Sequence, residues 1–329
     1  MRWHCTASGQ PGPSPDRSDV ALRVLNMLGD RAAAAARNAV PDAEIITVPN
    51  DAIPDHLHGE VLFAAWSLGH PVFDRLDDLG VRWMHLPGTG IDAWPRTLLE
   101  GRTVTCARGV SAIPIAEFVL GAILAFEKRF PDTWLDAPPK HWNVADLGEF
   151  ADKTVGLVGL GGIGSAVAHR VRAFDARVRA VRRRPDQPPV PGVEVVTDLD
   201  ELLETVDHLV LAAPATPATI GLLDEAAFAS VRPGLHLVNI ARGSLVDQDA
   251  LRGALDDERV ARASLDTVDP EPLPAGHWMY THPRVKLSAH VSWGSPRAFD
   301  RMLAAFAENL RHYVAGEPLE GIVDAEEGY

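Results

Sequence analysis

Short apolar runs alternate with stretches of helical periodicity along most of this chain. Runs at residues 22–28, 45–48, 61–65, 82–86 and 103–106 predict strands. Between them an alanine-rich helix is expected at 29–40 and a short one at 74–79. A longer helical pattern covers 114–128, with Ile115, Phe118, Val119, Ala122, Ile123 and Phe126 on its apolar face. Pro114 falls in its first turn, where proline is tolerated. Residues 131–152, which hold Trp134, Pro138, Pro139 and Trp142, read as an arm. A second series of strands follows at 155–160, 178–181, 209–212, 235–240, 263–265 and 285–288, mostly with helical stretches between. An amphipathic helix at 296–315, burying Met302, Phe306 and Leu310, closes the pattern. Short strands alternating with helices predict parallel sheets covered on both faces. The predicted class is α/β, with two doubly wound parallel-sheet domains.

The second series opens with Gly159-x-Gly161-x-x-Gly164, between an apolar run and a helical pattern. In a dinucleotide site Gly159 makes the tight turn, Gly161 lets the backbone approach a pyrophosphate, and Gly164 lets helix and sheet pack closely. Gly162 and Ile163 then begin the helix whose free N–H groups face the phosphates. An acid at the end of the next strand selects the unphosphorylated cofactor. Here Arg182, Arg183 and Arg184 stand in that place, with Asp175 before the strand and Asp186 after Pro185. Guanidinium groups suit a 2′-phosphate, which a carboxylate would repel. NADP (as NADPH) is favoured and NAD remains possible; a solvated basic turn is the other reading.

At 329 residues the chain can bury a sizeable core. A net charge of −14 argues against general nucleic-acid binding and says little about a small anionic substrate, which responds to the local field of its pocket. The two cysteines, Cys5 and Cys106, form no metal-ligand spacing, and no metal is expected. No structural disulfide is expected, which fits a reducing cytoplasm, and no apolar run reaches the length of a membrane span. Residues 7–18 are rich in Pro, Gly and Ser, and 1–18 are expected to be a disordered extension.

Three strand ends in the last third carry candidate chemistry. Arg242 follows one strand and precedes Gly243, placed either to clamp a carboxylate or to cap the next helix from the surface. Asp266 ends another, followed by Glu271 between Pro270 and Pro272, which is either a held carboxylate or a solvated acidic loop. His290 ends a third and is either a catalyst or a satisfied core residue. His85, His141, His208, His277, His282 and His312 lack such context and are read as structural or surface residues.

From about residue 60 to 315 the chain resembles the D-isomer-specific 2-hydroxyacid dehydrogenase family. The resemblance rests on Gly88-Thr-Gly-Ile-Asp92, Ile115-Ala-Glu-Phe-Val-Leu120, the glycine motif and Pro214-Ala-Thr-Pro-Ala-Thr219. Asn239-Ile-Ala-Arg-Gly243, Leu265-Asp-Thr-Val-Asp-Pro-Glu-Pro-Leu273 and the strand end at His290 complete it. It implies that Arg242 binds the substrate carboxylate, that Glu271 pairs with a catalytic His290, and that Asp266 contacts the nicotinamide carboxamide. Ala213, Pro214, Thr219 and Ala241 would line the cofactor, and backbone N–H groups of Gly88, Thr89 and Gly90 would complete the carboxylate site. It further implies a Rossmann cofactor domain at 113–295 inserted into a flavodoxin-like substrate domain at 19–112 plus 296–329, and a homodimer. Trp66 and Trp293 are candidate pocket walls or cleft packing. The expected activity is NADPH-dependent reduction of a small 2-oxo acid, of glyoxylate or hydroxypyruvate type, to the D-2-hydroxy acid. The alternatives are a relative with another acid and NAD preference, or a cofactor-sensing regulator.

Overall fold

The computed structural model describes residues 21–144, 146–183 and 188–327; the expected extension, Arg184 and Asp186 lie outside them. The chain divides into two compact units, one running to Val110 and resuming at Phe299, the other covering Ser111–Ala298.

In the first unit β1 (Arg23–Asn26), β2 (Glu44–Thr47), β3 (Val61–Phe63), β4 (Trp83–Leu86) and β5 (Thr103–Cys106) form a sheet of order β2-β1-β3-β4-β5. Every pairing is parallel. Successive strand residues serve opposite faces, as a period of two requires. Val24, Val61 and Phe63 pack under α1 (Gly29–Ala39) and α8 (Ala298–Ala315) through Ala32, Ala36, Met302, Phe306 and Leu310. Leu25, Leu62 and Met84 face the other way, toward Val72, Leu76, Leu79, Trp94 and Leu99 of the short α2 (Arg96–Leu99). Instead of the helix expected at 74–79 there is a 3₁₀ turn at Pro71–Arg75, where the His70 side chain accepts from Val72 N. So short a segment cannot offset the cost of nucleating an α-helix. His85 is fully buried, its Nδ1 2.8 Å from Thr105 Oγ1, and burial pushes its pKa down to about 3.

The second unit holds β6 (Thr154–Val158), β7 (Arg177–Val181), β8 (Val193–Val196), β9 (His208–Leu211), β10 (Leu235–Asn239), β11 (Val260–Leu265) and β12 (Val285–Leu287). Their order is β12-β11-β10-β9-β6-β7-β8, all parallel. The chain builds outward from β6 to β8, then reverses to β9 on the other side. Such a reversal opens a crevice at the carboxyl ends of the strands. On one face α3 (Ala112–Glu127) and α4 (Gly162–Arg172) bury Ile115, Val119, Val167 and Val171. On the other, α5 (Leu199–Leu203), α6 (Glu225–Ser230) and α7 (Gln248–Asp256) bury Leu202, Phe228, Leu251 and Leu255. These three short helices each begin behind an aspartate, Asp198, Asp224 or Asp247, whose side chain accepts from the first turn. Helix α3 starts two residues before the expected position, leaving Pro114 in a first turn whose N–H groups need no intrahelical partner.

A polar chain crosses this core. Glu127 Oε1 stands 3.1 Å from His208 Nε2, His208 Nδ1 is 3.1 Å from His236 Nδ1, and His236 Nε2 is 2.9 Å from Ser264 Oγ. Burial, reinforced by His208 and Arg262, holds His236 well below the usual histidine range. Among the described residues no helix is long and apolar enough to cross a membrane.

Candidate active site

Strand β6 ends at Val158 and α4 begins at Gly162, so Gly159 and Gly161 make the turn between them. Gly159 has a φ of +100°, and a Cβ there would stand 2.8 Å from Ala212 O and Ala213 N, just past β9. Both facts exclude a side chain. A Cβ on Gly164 would overlap the carbonyl oxygen of Gly159. Gly161 is the N-cap of α4 without a side-chain cap bond, and Gly161 and Gly162 are exposed while Ile163 packs against the core. The open helix N-terminus therefore sits at the reversal between β6 and β9, with space and polarity that fit a pyrophosphate. Beyond β9, Thr219 Oγ1 donates to Pro214 O at 2.6 Å and accepts from Thr216 N at 2.8 Å, closing residues 214–219 into a tight loop.

The end of β7 reaches the same turn, since Gly159 N donates to Val181 O at 2.9 Å. The described residues that follow are Arg182, whose Nη1 donates to Pro188 O at 3.1 Å, and the exposed Arg183. Asp175 lies before β7, at the opposite end of the strand.

Strand register assembles the second group. Asn239 of β10 pairs with Leu265 of β11, and Leu265 with Leu287 of β12. The ladder continues one step further, with Asp266 N donating to Asn239 O at 2.9 Å and Ser288 N to Leu265 O at 3.0 Å. Arg242, Asp266 and His290 thus leave the same edge of the sheet from three adjacent strands. Asn239 shapes the first turn: its Oδ1 accepts from Ala241 N at 3.0 Å and its Nδ2 donates to Arg242 O at 2.9 Å. Arg242 Nη1 donates to Ala241 O at 2.7 Å.

Asp266 clamps the His290 turn. Its Oδ1 accepts from Ser288 Oγ at 2.5 Å and Val291 N at 2.9 Å, and its Oδ2 from Ser292 N at 2.9 Å. Burial to 1% exposure opposes its charge, but the bonds from Ser288, Ser292 and Val291 outweigh it and hold the carboxyl below its usual range. His290 N also donates to Asp266 O at 2.9 Å. The clamp matters because His290 has a φ of +52°, a left-handed backbone that costs a side chain roughly 1–2 kcal/mol. His290 Nδ1 lies 2.8 Å from Glu271 Oε2, while Glu271 Oε1 accepts from Val268 N at 3.1 Å. An ionised carboxylate only accepts, so Nδ1 carries the proton in this pair and Nε2 is left for a ligand. Trp293 Nε1 donates to His290 O at 2.9 Å, pinning a half-exposed indole to the same turn.

The remaining expected residues belong to the first unit. Gly88, Thr89 and Gly90 follow β4; Ala107 N donates to Gly88 O at 2.9 Å and Thr89 Oγ1 to Ala107 O at 3.3 Å. The indole of Trp66 packs directly on Gly88 and lies 5.8 Å, centroid to centroid, from that of buried Trp94. Trp66 is itself half-exposed.

Sequence reading did not single out Asn239, Ser288 or Ser292 individually, nor the Val268 N–H. These groups hold the turns rather than face outward, and they become visible only once the strands are in register. Among the described residues no group of three or more His, Cys, Asp or Glu side chains could hold a metal ion.

Residues 120–292 match the family described as D-isomer specific 2-hydroxyacid dehydrogenase, NAD binding domain. The chain is 32% identical over 254 residues to glyoxylate/hydroxypyruvate reductase A of Serratia proteamaculans, covering 74% of this chain and 80% of that one. It is 35% identical over 245 residues to glyoxylate reductase of Thermofilum pendens, covering 70% and 71%. In structure it is similar to a D-isomer specific 2-hydroxyacid dehydrogenase from Xanthobacter autotrophicus, solved in complex with NADPH and MES. That match has a TM-score of 0.80 and 25% identity, covering 94% of this chain and 99% of that one.

Proposed function

The chain belongs to the D-isomer specific 2-hydroxyacid dehydrogenase family of NAD(P)-dependent oxidoreductases, and on that premise we propose that it reduces a small 2-oxo acid with NADPH. The substrate is of the glyoxylate or hydroxypyruvate type and the product is the D-2-hydroxy acid. One observation carries this reading: His290 and Glu271 pair at 2.8 Å, on a sheet edge shared with the turn that holds Arg242.

In this reading Arg242 binds the substrate carboxylate through two parallel hydrogen bonds and stabilises the charge that develops on the carbonyl oxygen. The nicotinamide, when bound, supplies the hydride to C2. His290 delivers a proton from Nε2 to the carbonyl oxygen. Glu271 accepts the Nδ1–H bond, fixes the ring and stabilises the imidazolium. Gly159, Gly161, Gly162, Ile163 and Gly164 hold the pyrophosphate, with Ala213, Pro214, Thr219 and Ala241 along the cofactor and Asp266 at its carboxamide. Arg182 and Arg183 receive the 2′-phosphate, since the positions where a ribose-binding acid is expected carry guanidinium groups. Residues 113–295 hold the cofactor. Residues 19–112 with 296–329 form the substrate domain. The indole of Trp293, tied to the His290 turn, walls the substrate, which favours compact acids over long or phosphorylated ones. Exposed Trp134, Leu135 and Trp142 on the arm support a homodimer. The protein acts in the cytoplasm.

The test is oxidation of NADPH and of NADH by the purified chain with glyoxylate, hydroxypyruvate, pyruvate and phenylpyruvate, with chiral analysis of the product. Turnover of a small acid to the D-product, faster with NADPH, is expected. NADH preference would overturn the cofactor assignment, and an L-product the stereochemical one. Tight cofactor binding without turnover of any of these acids would overturn the substrate class.

A further inference from the structure

Gln248 is the first residue of α7, directly after the Asp247 cap, and is half-buried. Its Nε2 donates to the carbonyl oxygen of Asp269. Asp269 lies inside the turn that begins at Val268, whose N–H holds Glu271 Oε1, and ends at Glu271 itself. The opposite side of that turn is also fixed. Gly243 lies so close to the Val268–Asp269 peptide that a Cβ would overlap Val268 C and O and Asp269 N. Gly243 follows Arg242, so the arginine turn and the glutamate turn are locked together by one close backbone approach and one side-chain hydrogen bond.

Two polar atoms remain beneath this lock. Gln248 Oε1 and Thr267 Oγ1 are buried without a hydrogen-bond partner among the described residues. Both residues line one cavity of about 10 Å³, together with Asn239, Leu251 and Met279. Leaving each unpaired costs about 1–3 kcal/mol. A cavity of that size has room for one water molecule, which needs at least two polar partners.

We propose that Gln248 is the positioning residue that sets Glu271 against His290, and that one buried water joining Gln248 Oε1 to Thr267 Oγ1 completes the latch. The proposal rests on Glu271 and His290 being the acid–base pair of the proposed reaction. A glutamine that merely starts a helix would need neither a contact with the Glu271 turn nor a shared cavity with Thr267.

The experiment compares the full chain with Gln248→Met, which keeps side-chain length and helix propensity but removes both polar atoms. Hydrogen exchange is followed in peptides spanning 266–273, together with kcat, KM, NADPH affinity and the pH profile of kcat. Glu271→Gln serves as the reference. In Gln248→Met the Val268 amide should exchange about 10-fold faster. Its kcat should fall about 10-fold, with KM for the oxo acid and NADPH affinity within about two-fold. The pH profile should move in the same direction as in Glu271→Gln. Thr267→Val should show the same effects at smaller amplitude. Unchanged protection of Val268 would overturn the latch whether or not the chain turns over an oxo acid. Faster exchange with wild-type kcat and pH profile would overturn the positioning role and leave a structural anchor. If the unsubstituted chain reduces no oxo acid, the proposed reaction fails, while the exchange data still decide whether Gln248 holds the turn.

Discussion

The glycine turn after β6 and the Arg242, Glu271 and His290 group after β10, β11 and β12 share one sheet but reach their geometry by different routes. The first is local. Residues 159–164 carry it, and its demands are steric: a φ of +100° at Gly159 and no room for a side chain at Gly164. The second spans residues 242–290 and has no local signature of comparable strength. It exists because three parallel strands end in register and because Asp266 ties the third strand end to the second. Steric change should therefore break the first, and change of charge or hydrogen bonding the second.

Arg242→Gln removes charge without disturbing the ladder. Turnover should fall by about 10²–10³, with NADPH affinity and thermal stability close to those of the unsubstituted chain. Steady-state kinetics alongside calorimetric titration read both quantities. A matching collapse in cofactor affinity would erase the distinction between the two regions.

Gly164→Val acts in the opposite sense. A branched side chain against the Gly159 carbonyl is overpacking worth about 1–3 kcal/mol, so NADPH should bind roughly 10- to 100-fold more weakly. Protection of the Val268 amide in the Glu271 turn should stay unchanged. Loss of protection there would show that the two regions form one unit.

Acid separates the core from the clamp at the site. His236 and His85 are held neutral when folded, but they bind protons when unfolded below about pH 6.5. The unfolded state then carries more protons, so stability falls as pH drops, by up to about 1.4 kcal/mol per pH unit for each group. For His85 the loss continues to about pH 3. Asp266 shifts in the same direction, its folded carboxyl lying below the usual range, but in a more acid window. Its contribution is present above about pH 3.9 and is lost only as pH falls further. Denaturant midpoints between pH 7 and 4 should thus decline through the histidines, and His236→Phe should flatten the decline if the variant folds. His85→Phe in the first unit offers an independent check. A flat profile in the unsubstituted chain would contradict the assignment.

The smallest effect is expected at Arg182. Arg182→Ser should cost about 10-fold in NADPH affinity and little in NADH affinity, as for loss of one charge-assisted contact. Equal weakening of both cofactors would show that the arginine supports the turn rather than a 2′-phosphate.

The same contrast explains what could be read in advance. The two parallel sheets follow from alternation of short apolar runs with helices, and the glycine turn from residues adjacent in sequence. The candidate residues Arg242, Glu271 and His290 were visible as strand ends and, together, through family motifs. Their juxtaposition is implied only by the resemblance and not by the residues themselves, because it depends on Asn239, Leu265 and Leu287 standing in one row. Asn239, Ser288 and Ser292 gave no individual signal because their partners are backbone groups or residues distant in sequence. Strand β8 went unnamed because it is a short edge strand beside a proline-rich stretch, and the turn at Pro71–Arg75 because its pattern is too short to separate from a helix. His208 reads only as a structural or surface residue in sequence and His236 draws no notice, since the buried chain linking Glu127 to Ser264 joins one helix end and three strands.

The most direct test of the account is to measure turnover and NADPH affinity together in His290→Gln. The account predicts that reduction of the best small oxo acid falls by about 10³ while NADPH affinity stays within about two-fold. Retained turnover, or a loss of turnover matched by loss of NADPH affinity, would contradict the claim that His290 is the proton donor.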